Sequence, residues 1–203
     1  MTDLRREFPV WFSDGSPGME RDPANYFLLC LSRAFYAFAL FCDLDEEDRN
    51  AYLDIGSGGG FITELVGNGF KIAIGVERRP EAREYATRVH NRGPVKYVSS
   101  IKEAVDHAPF NFVTMLEVIE HMSAEDGVAL LKAVVPLITD GGTLYLSTPA
   151  CATENHLNPG NPYHLHEYQP KELRELLEKF FKNVRISAMQ PRTLNAVCME
   201  PIR

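Results

Sequence analysis

The amino-acid sequence predicts an α/β fold: a doubly wound, mostly parallel sheet with helices on both faces. Three observations predict it. Short apolar runs alternate with longer amphipathic segments between residues 51 and 148, the pattern of repeated strand–helix–strand units. A glycine-rich turn, GSGGG at 56–60, joins the first apolar run to the first amphipathic segment. Near the C-terminus, two apolar runs at 183–189 and 193–200 follow each other with a short gap. Such a gap predicts a hairpin, so the sheet should finish in an antiparallel pair.

The elements follow in order. AYLDI (51–55) reads as the first strand, and GGFITELVGNG as a helix ended by glycines. KIAIGVE (71–77) is the second strand, and PEAREYATRVHN a helix with Pro80 in its first turn. VKYV (95–98) is the third strand, with a short helix after it. FNFVTML (110–116), the helix 124–138 and GTLYLST (142–148) complete the alternation. These strands are short apolar runs, as expected where both faces are covered. PKELRELLEKFF then places Leu173, Leu176, Leu177 and Phe180 on one helix face. Two turn-rich stretches, 13–23 and 149–163, flank this body. The second is long for a connection inside a compact domain, and loops of that length are often functional.

Composition narrows the function. The 203 residues suit one domain, and 45% hydrophobic with 24% charged residues is ordinary for a globular chain. The net charge of -7 opposes a whole-surface attraction to nucleic acid, and no DNA partner is predicted. Arg78, Arg79, Arg83, Arg88, Arg92 and Lys96 cluster in sequence, but Glu77, Glu81 and Glu84 are mixed among them, as on a solvated helix face. Cys30, Cys42, Cys151 and Cys198 form no CxxC pair, which suits reduced thiols in a cytoplasmic protein. The N-terminus has no signal-peptide core. Residues 24–41 have about the length of a short membrane span, yet Arg33 lies at their centre. A central charge costs at least about 2.5 kcal/mol on insertion, so this segment reads as a packed helix with Arg33 exposed or facing a ligand. The sequence sets no oligomeric state.

The sharpest local signal is LDIGSGGGFITE at 53–64. Gly56, Gly58 and Gly60 let the backbone turn tightly and let a ligand approach. Asp54 ends the strand before them. An acid there repels a pyrophosphate and suits a zwitterion with an ammonium or sulfonium centre. Glu77 closes the second strand, where a doubly wound fold places an acid for ribose hydroxyls. A plain turn and a helix-dipole acid are the structural alternatives.

LDIGSGGG, GVE, FNFVTMLEVIEHM and LITDGGTLYLSTP together resemble class I S-adenosylmethionine-dependent methyltransferases. The resemblance runs from about residue 50 to the end, dividing the chain into an N-terminal helical cap (1–45) and a cofactor-binding domain (46–203). It implies a Rossmann-like, seven-stranded sheet with a reversed last strand. It also implies that Asp54, Gly56, Ser57 and Gly58 line the methionine side of the cofactor and that Glu77 takes the ribose hydroxyls. The segment YVSSI flanks adenine: Ser99 and Ser100 stand where the family often has Asp, and Ile101 stacks on the ring. Leu116 and Glu117 border the transferred methyl. The cap and the loop 149–168 bring Trp11, Phe12, Tyr26, Phe35, Tyr36, Tyr163 and Tyr168 toward the acceptor, most of them as core.

TMLEVIEHM (114–122) ends the fourth strand in Glu117, Glu120 and His121. Strand ends of this kind open into ligand crevices. Three readings stay open. The groups brace the following turn; or His121 or a glutamate is a general base for an acceptor hydroxyl; or Glu117, Glu120 and His121 bind magnesium, manganese or zinc with one further histidine. His156, His164 and His166 are available for the last. EVIEHM and STP resemble ubiquinone-biosynthesis O-methyltransferases. They also resemble small-RNA 3′-terminal 2′-O-methyltransferases, whose Glu-x-x-Glu-His and downstream His fall here on Glu117, Glu120, His121 and His164. The acidic charge and the lack of an RNA-binding domain favour a small-molecule or sugar-type acceptor, with RNA the runner-up. A non-catalytic cofactor-binding protein is a third possibility, and Asp54 disfavours an NAD dehydrogenase.

Overall fold

The computed structural model describes residues 23–151, 156–158, 160–189 and 192–203, with side chains from residue 31. Trp11, Phe12 and the first half of the expected cap lie outside the described residues, as does the Tyr26 side chain. Seven strands form one sheet in the order β3-β2-β1-β4-β5-β7-β6. They are β1 (Ala51–Ile55), β2 (Ile72–Val76), β3 (Val95–Val98), β4 (Phe110–Leu116), β5 (Ile138–Pro149), β6 (Phe181–Met189) and β7 (Thr193–Pro201). β1 to β5 are parallel, and β7 runs antiparallel between β5 and β6. The order reverses between β1 and β4, which opens a crevice at their carboxyl ends.

Six α-helices accompany the described strands: α1 (Pro23–Cys42), α2 (Phe61–Gly67), α3 (Pro80–Val89), α4 (Ile101–Ala104), α5 (Ala124–Val134) and α6 (Pro170–Leu177). None of the described helices is long and apolar enough to cross a membrane. Two boundaries differ from the sequence reading. The helix expected to reach 138 ends at Val134, and a 3-10 turn covers Val135–Leu137, because Pro136 lacks the donor that would continue the α ladder. β5 begins at Ile138 and not at 142. A register irregularity opposite Phe110–Phe112 lets Asp140, Gly141 and Gly142 remain in the strand although they read as a turn.

The two sheet faces differ in chemistry. Leu53, Ile55, Val113, Met115, Leu144, Leu146, Leu194, Ala196 and Cys198 form an apolar face, closed by Leu131, Val134, Leu173 and Leu177 of α5 and α6. The opposite face carries Tyr52, Asp54, Thr114, Tyr145, Ser147, Thr193 and Asn195, all buried. Strand pleating produces this split, because alternate residues point to opposite sides. α1 covers the polar face. Arg33, Ala37 and Phe41, spaced by four, form its inner line, while Phe35 on the other side is 63% exposed. Tyr36 packs on Tyr145 with ring centroids 5.0 Å apart.

The glycine turn after β1 depends on left-handed backbone. Gly60 has φ 89, and an added Cβ would lie 2.8 Å from Tyr97 Cζ and 2.9 Å from Ala86 Cβ. Tyr97 itself donates to the Gly60 and His90 carbonyls. Gly60→Ala is therefore expected to destabilise by about 1–3 kcal/mol through overpacking and backbone strain. A denaturant midpoint shift of the variant measures it; an unchanged midpoint would refute this account.

Candidate functional site

At the carboxyl end of β1, Asp54 is buried between two hydroxyls. Thr63 Oγ1 donates to its Oδ2 and Thr114 Oγ1 to its Oδ1, both at 2.7 Å. Tyr52 donates in turn to Thr114, at 2.6 Å. No cation among the described residues pairs with Asp54, and two hydrogen bonds alone do not compensate for burial. Burial pushes the Asp54 carboxyl up to about 6, against the two hydroxyl bonds, and the Glu77 charge adds to the rise. The native state thus binds Asp54's proton more tightly than the unfolded chain does. Its contribution to stability is fully present below about pH 4 and is lost as pH rises toward 6. That rise corresponds to on the order of 3 kcal/mol.

The loop that follows reaches Glu77. Gly58 N donates to Glu77 Oε2 at 3.0 Å and Arg79 N to Oε1 at 2.8 Å. Gly58 has φ 52 and open space where a Cβ would point, whereas a Cβ on Gly56 would meet Val118 at 2.5 Å. The first is a backbone edge a ligand can approach; the second is a packing requirement. Ser57 Oγ is buried with no hydrogen-bond partner among the described residues. Ser99 and Ser100 both donate to Glu103, which draws that carboxyl below its usual range, mainly through Ser99. Ile101 starts α4 and packs on the apolar core, while Leu116 packs on the core beneath α1.

Glu117 stands apart from the other two groups of its run. Its φ of 56 is left-handed, costing a non-glycine residue of order 1–3 kcal/mol. Three contacts hold it. Its N–H donates to the Ser147 carbonyl at 2.9 Å, Ser147 Oγ donates to Oε1 at 2.9 Å, and Arg33 Nη2 pairs with Oε2 at 2.8 Å. Arg33 also donates to Thr193 Oγ1 at 3.2 Å. The sequence placed Arg33 on an exposed or ligand-facing side; it is buried, at 8% exposure, and engaged by Glu117.

Ile119–His121 form a 3-10 turn that sends Glu120 inward and His121 outward. Glu120 accepts from Thr148 Oγ1 at 3.0 Å through Oε2, while its buried Oε1 has no partner among the described residues. Burial first, and the Glu117 charge second, push its carboxyl well above the usual range. Its main-chain carbonyl receives Leu165 N and His166 N, which seats the later loop against this turn. His121 Nδ1 lies 3.0 Å from the Tyr163 carbonyl. A carbonyl only accepts, so Nδ1 carries the proton and Nε2 is the basic atom. His164 Nδ1 meets Glu167 Oε1 at 2.8 Å, which fixes the same tautomer there. Donor atoms of Glu120, His121 and His164 lie within 4.8 Å of one another, and Glu117 is not part of that group.

The structure brings the glycine loop against Glu77 and puts Glu120 and His121 on one turn. The sequence reading did not name Thr63, Thr114, Ser147 or Glu167, the groups that hold the acids and His164. The signal for Thr114 was its phase in β4, on the face of Asp54. Glu167 sits three residues after His164 with no local pattern to mark it.

The methyltransferase-domain profile matches residues 28–185. The ubiquinone biosynthesis O-methyltransferase of Xanthomonas campestris pv. campestris (strain B100) is 33% identical over 102 residues, covering 47% of this chain and 41% of that protein. The chain thus spans about two fifths of that relative's length. Among solved structures, the DhpI–SAH complex superposes with a TM-score of 0.67 at 18% identity, over 98% of each chain. The small RNA methyltransferase HEN1 gives a TM-score of 0.68 at 20% identity, over 85% of this chain and 26% of that one. Those two likenesses establish a shared fold. With more than half its length inside the domain profile, and with the seven-stranded sheet that the sequence resemblance implied, the chain belongs to the methyltransferase-domain family.

Proposed function

We propose that the chain transfers a methyl group from S-adenosylmethionine to an oxygen of a small hydroxylated acceptor. Residues 46–203 form the cofactor-binding domain in this reading, and residues 1–45 a cap over it. The observation that carries it is Asp54: a buried carboxylate with two hydroxyl partners and, among the described residues, no paired cation, beside an open glycine edge. A cationic, amino-acid-bearing cofactor supplies the missing charge. Asp54, Gly56, Ser57 and Gly58 would hold its amino-acid end, Glu77 its ribose, Ser100 and Ile101 its base, and Leu116 and Glu117 the side near the methyl. When bound, the cofactor provides an electrophilic methyl carbon on sulfur. His121 Nε2, its tautomer set by the Tyr163 carbonyl, takes the acceptor's proton. Glu117 orients the acceptor. Positioning supplies much of the remaining rate.

A second reading is favoured by one observation, the convergence of Glu120, His121 and His164, with a Glu120 oxygen unpartnered among the described residues and a Glu167 brace on His164. Carboxylate-supported imidazoles are how ligating histidines are usually oriented. These residues would hold magnesium, manganese or zinc, which when bound acidifies an acceptor hydroxyl. Vicinal diols, including RNA 3′ ends, then become acceptors.

Incubation with S-adenosylmethionine and a panel of catechols, hydroxy acids, sugars and a short RNA duplex, with and without manganese, tests this. SAH formed from a small hydroxylated acceptor supports the first reading. Turnover on RNA alone, with manganese, supports the second. Cofactor binding without turnover on any acceptor points to a non-catalytic binding protein.

Asp54 offers a test free of the acceptor. Binding of SAH, whose ammonium group is cationic, should lower the carboxyl from about 6 and release a fraction of a proton at pH near 6. Titration calorimetry in buffers of different ionisation enthalpy reads that release, and it should vanish in Asp54→Asn. Proton uptake, or none, would overturn the assignment.

A further inference from the structure

A second cluster of metal-binding groups lies outside the site just described. His156, His166 and Glu172 bring donor atoms within 4.8 Å of one another, and all three are half-buried. Glu172, in the first turn of α6, meets His166 Nε2 through Oε1 at 2.8 Å and His156 Nδ1 through Oε2 at 3.3 Å. The two imidazoles stack face to face, with centroids 4.6 Å apart and planes 9° from parallel. His156 holds this position in left-handed backbone, at φ 59.

The stack brings both ring edges to one carboxylate, so two imidazoles and one glutamate share one small volume. The buried Tyr168 packs edge-on against His166, with ring centroids 4.6 Å apart, and backs that ring from the protein side. Bracing alone accounts for less. Glu172 already serves the capping box of α6 through the Gln169 N–H, and His156 Nδ1 faces the Glu167 carbonyl at 3.0 Å, which puts the proton on Nδ1 and leaves Nε2 as the ligating atom. A helix cap does not call for two stacked histidines.

We infer that His156, His166 and Glu172 form a second divalent-metal site, suited to zinc, that clips the 156–168 segment to the start of α6. Two imidazoles and one carboxylate are a zinc ligand set, with water as the fourth ligand. The consequence is positional. His164 and Glu167 lie in the segment between His156 and Glu172, so a metal there fixes the loop that carries them.

The test uses tag-free full-length protein in which His121→Ala and His164→Ala silence the other cluster. After chelation and dialysis, cobalt is titrated and its visible absorption followed, with zinc calorimetry beside it. The expected result is about one equivalent of cobalt with the strong bands of tetrahedral coordination. Adding Glu172→Gln, which keeps a capping side chain at that position, should weaken binding by more than about tenfold. His166→Ala should do the same, with far-UV circular dichroism unchanged. Absence of cobalt binding in the doubly substituted background would overturn the inference, as would binding that survives both added substitutions.

Discussion

His121→Ala is expected to lower methyl transfer by about 10²–10⁴-fold, the range for loss of a general base, while SAH affinity and folding stay near wild type. The side chain is exposed at the end of a 3-10 turn, and its Nδ1 bonds the Tyr163 carbonyl. Losing one such hydrogen bond costs about 0.5–1.5 kcal/mol, too little to unfold the domain. Single-turnover rates at saturating acceptor read the chemical step. The acidic limb that a histidine base imposes on the pH–rate profile should disappear in the variant. Glu120→Gln then separates the two readings. Burial holds Glu120 toward its neutral form, and a glutamine keeps the bond from Thr148. If His121 acts as a base, Glu120→Gln stays active. If His121 ligates a metal, both variants fall together and manganese fails to rescue either. Retention of wild-type rates by His121→Ala would remove both roles.

The sheet was legible because its strands are apolar runs bounded by turn residues: β1, β3 and β4 fall on the residues read from the sequence. The loop and its acid were legible because glycine spacing and strand ends are local. What stayed hidden is the polar layer beneath α1. Tyr52, Thr114 and Tyr145 look like ordinary members of buried strands until the register puts them on the face of Asp54. Ion pairs across long sequence separations have no periodicity. Arg33 and Glu117 are 84 residues apart, and each alone admits several explanations. A charge at the centre of an apolar helix does imply a buried partner, and a carboxylate ending a buried strand implies the converse need.

Arg33→Met is expected to cost about 3–5 kcal/mol in unfolding free energy, the range for breaking a buried pair from one side. Glu117's side chain is 25% exposed against 9% for Arg33, so water recovers part of the loss and the value should fall near the lower bound. The substitution keeps the stem that lies along α1's inner line and removes the guanidinium with its bonds to Glu117 and Thr193. It leaves Glu117 with Ser147 as its side-chain partner and Glu120 nearby as a second acid. Glu117→Gln in the same chain should recover stability, because the unpaired carboxylate is gone. The double-mutant cycle should return a coupling of about 1–3 kcal/mol, measured from urea unfolding midpoints and slopes. A wild-type midpoint for Arg33→Met, or strict additivity, would mean that the pair contributes nothing. The coupling also decides what α1 is. The same arginine touches Thr193 on β7 and Glu117 on the left-handed end of β4, so the helix and the site are fastened by one side chain. Loss of that fastening should loosen the cap and relax Glu117 together, raising KM for the acceptor as well as lowering stability.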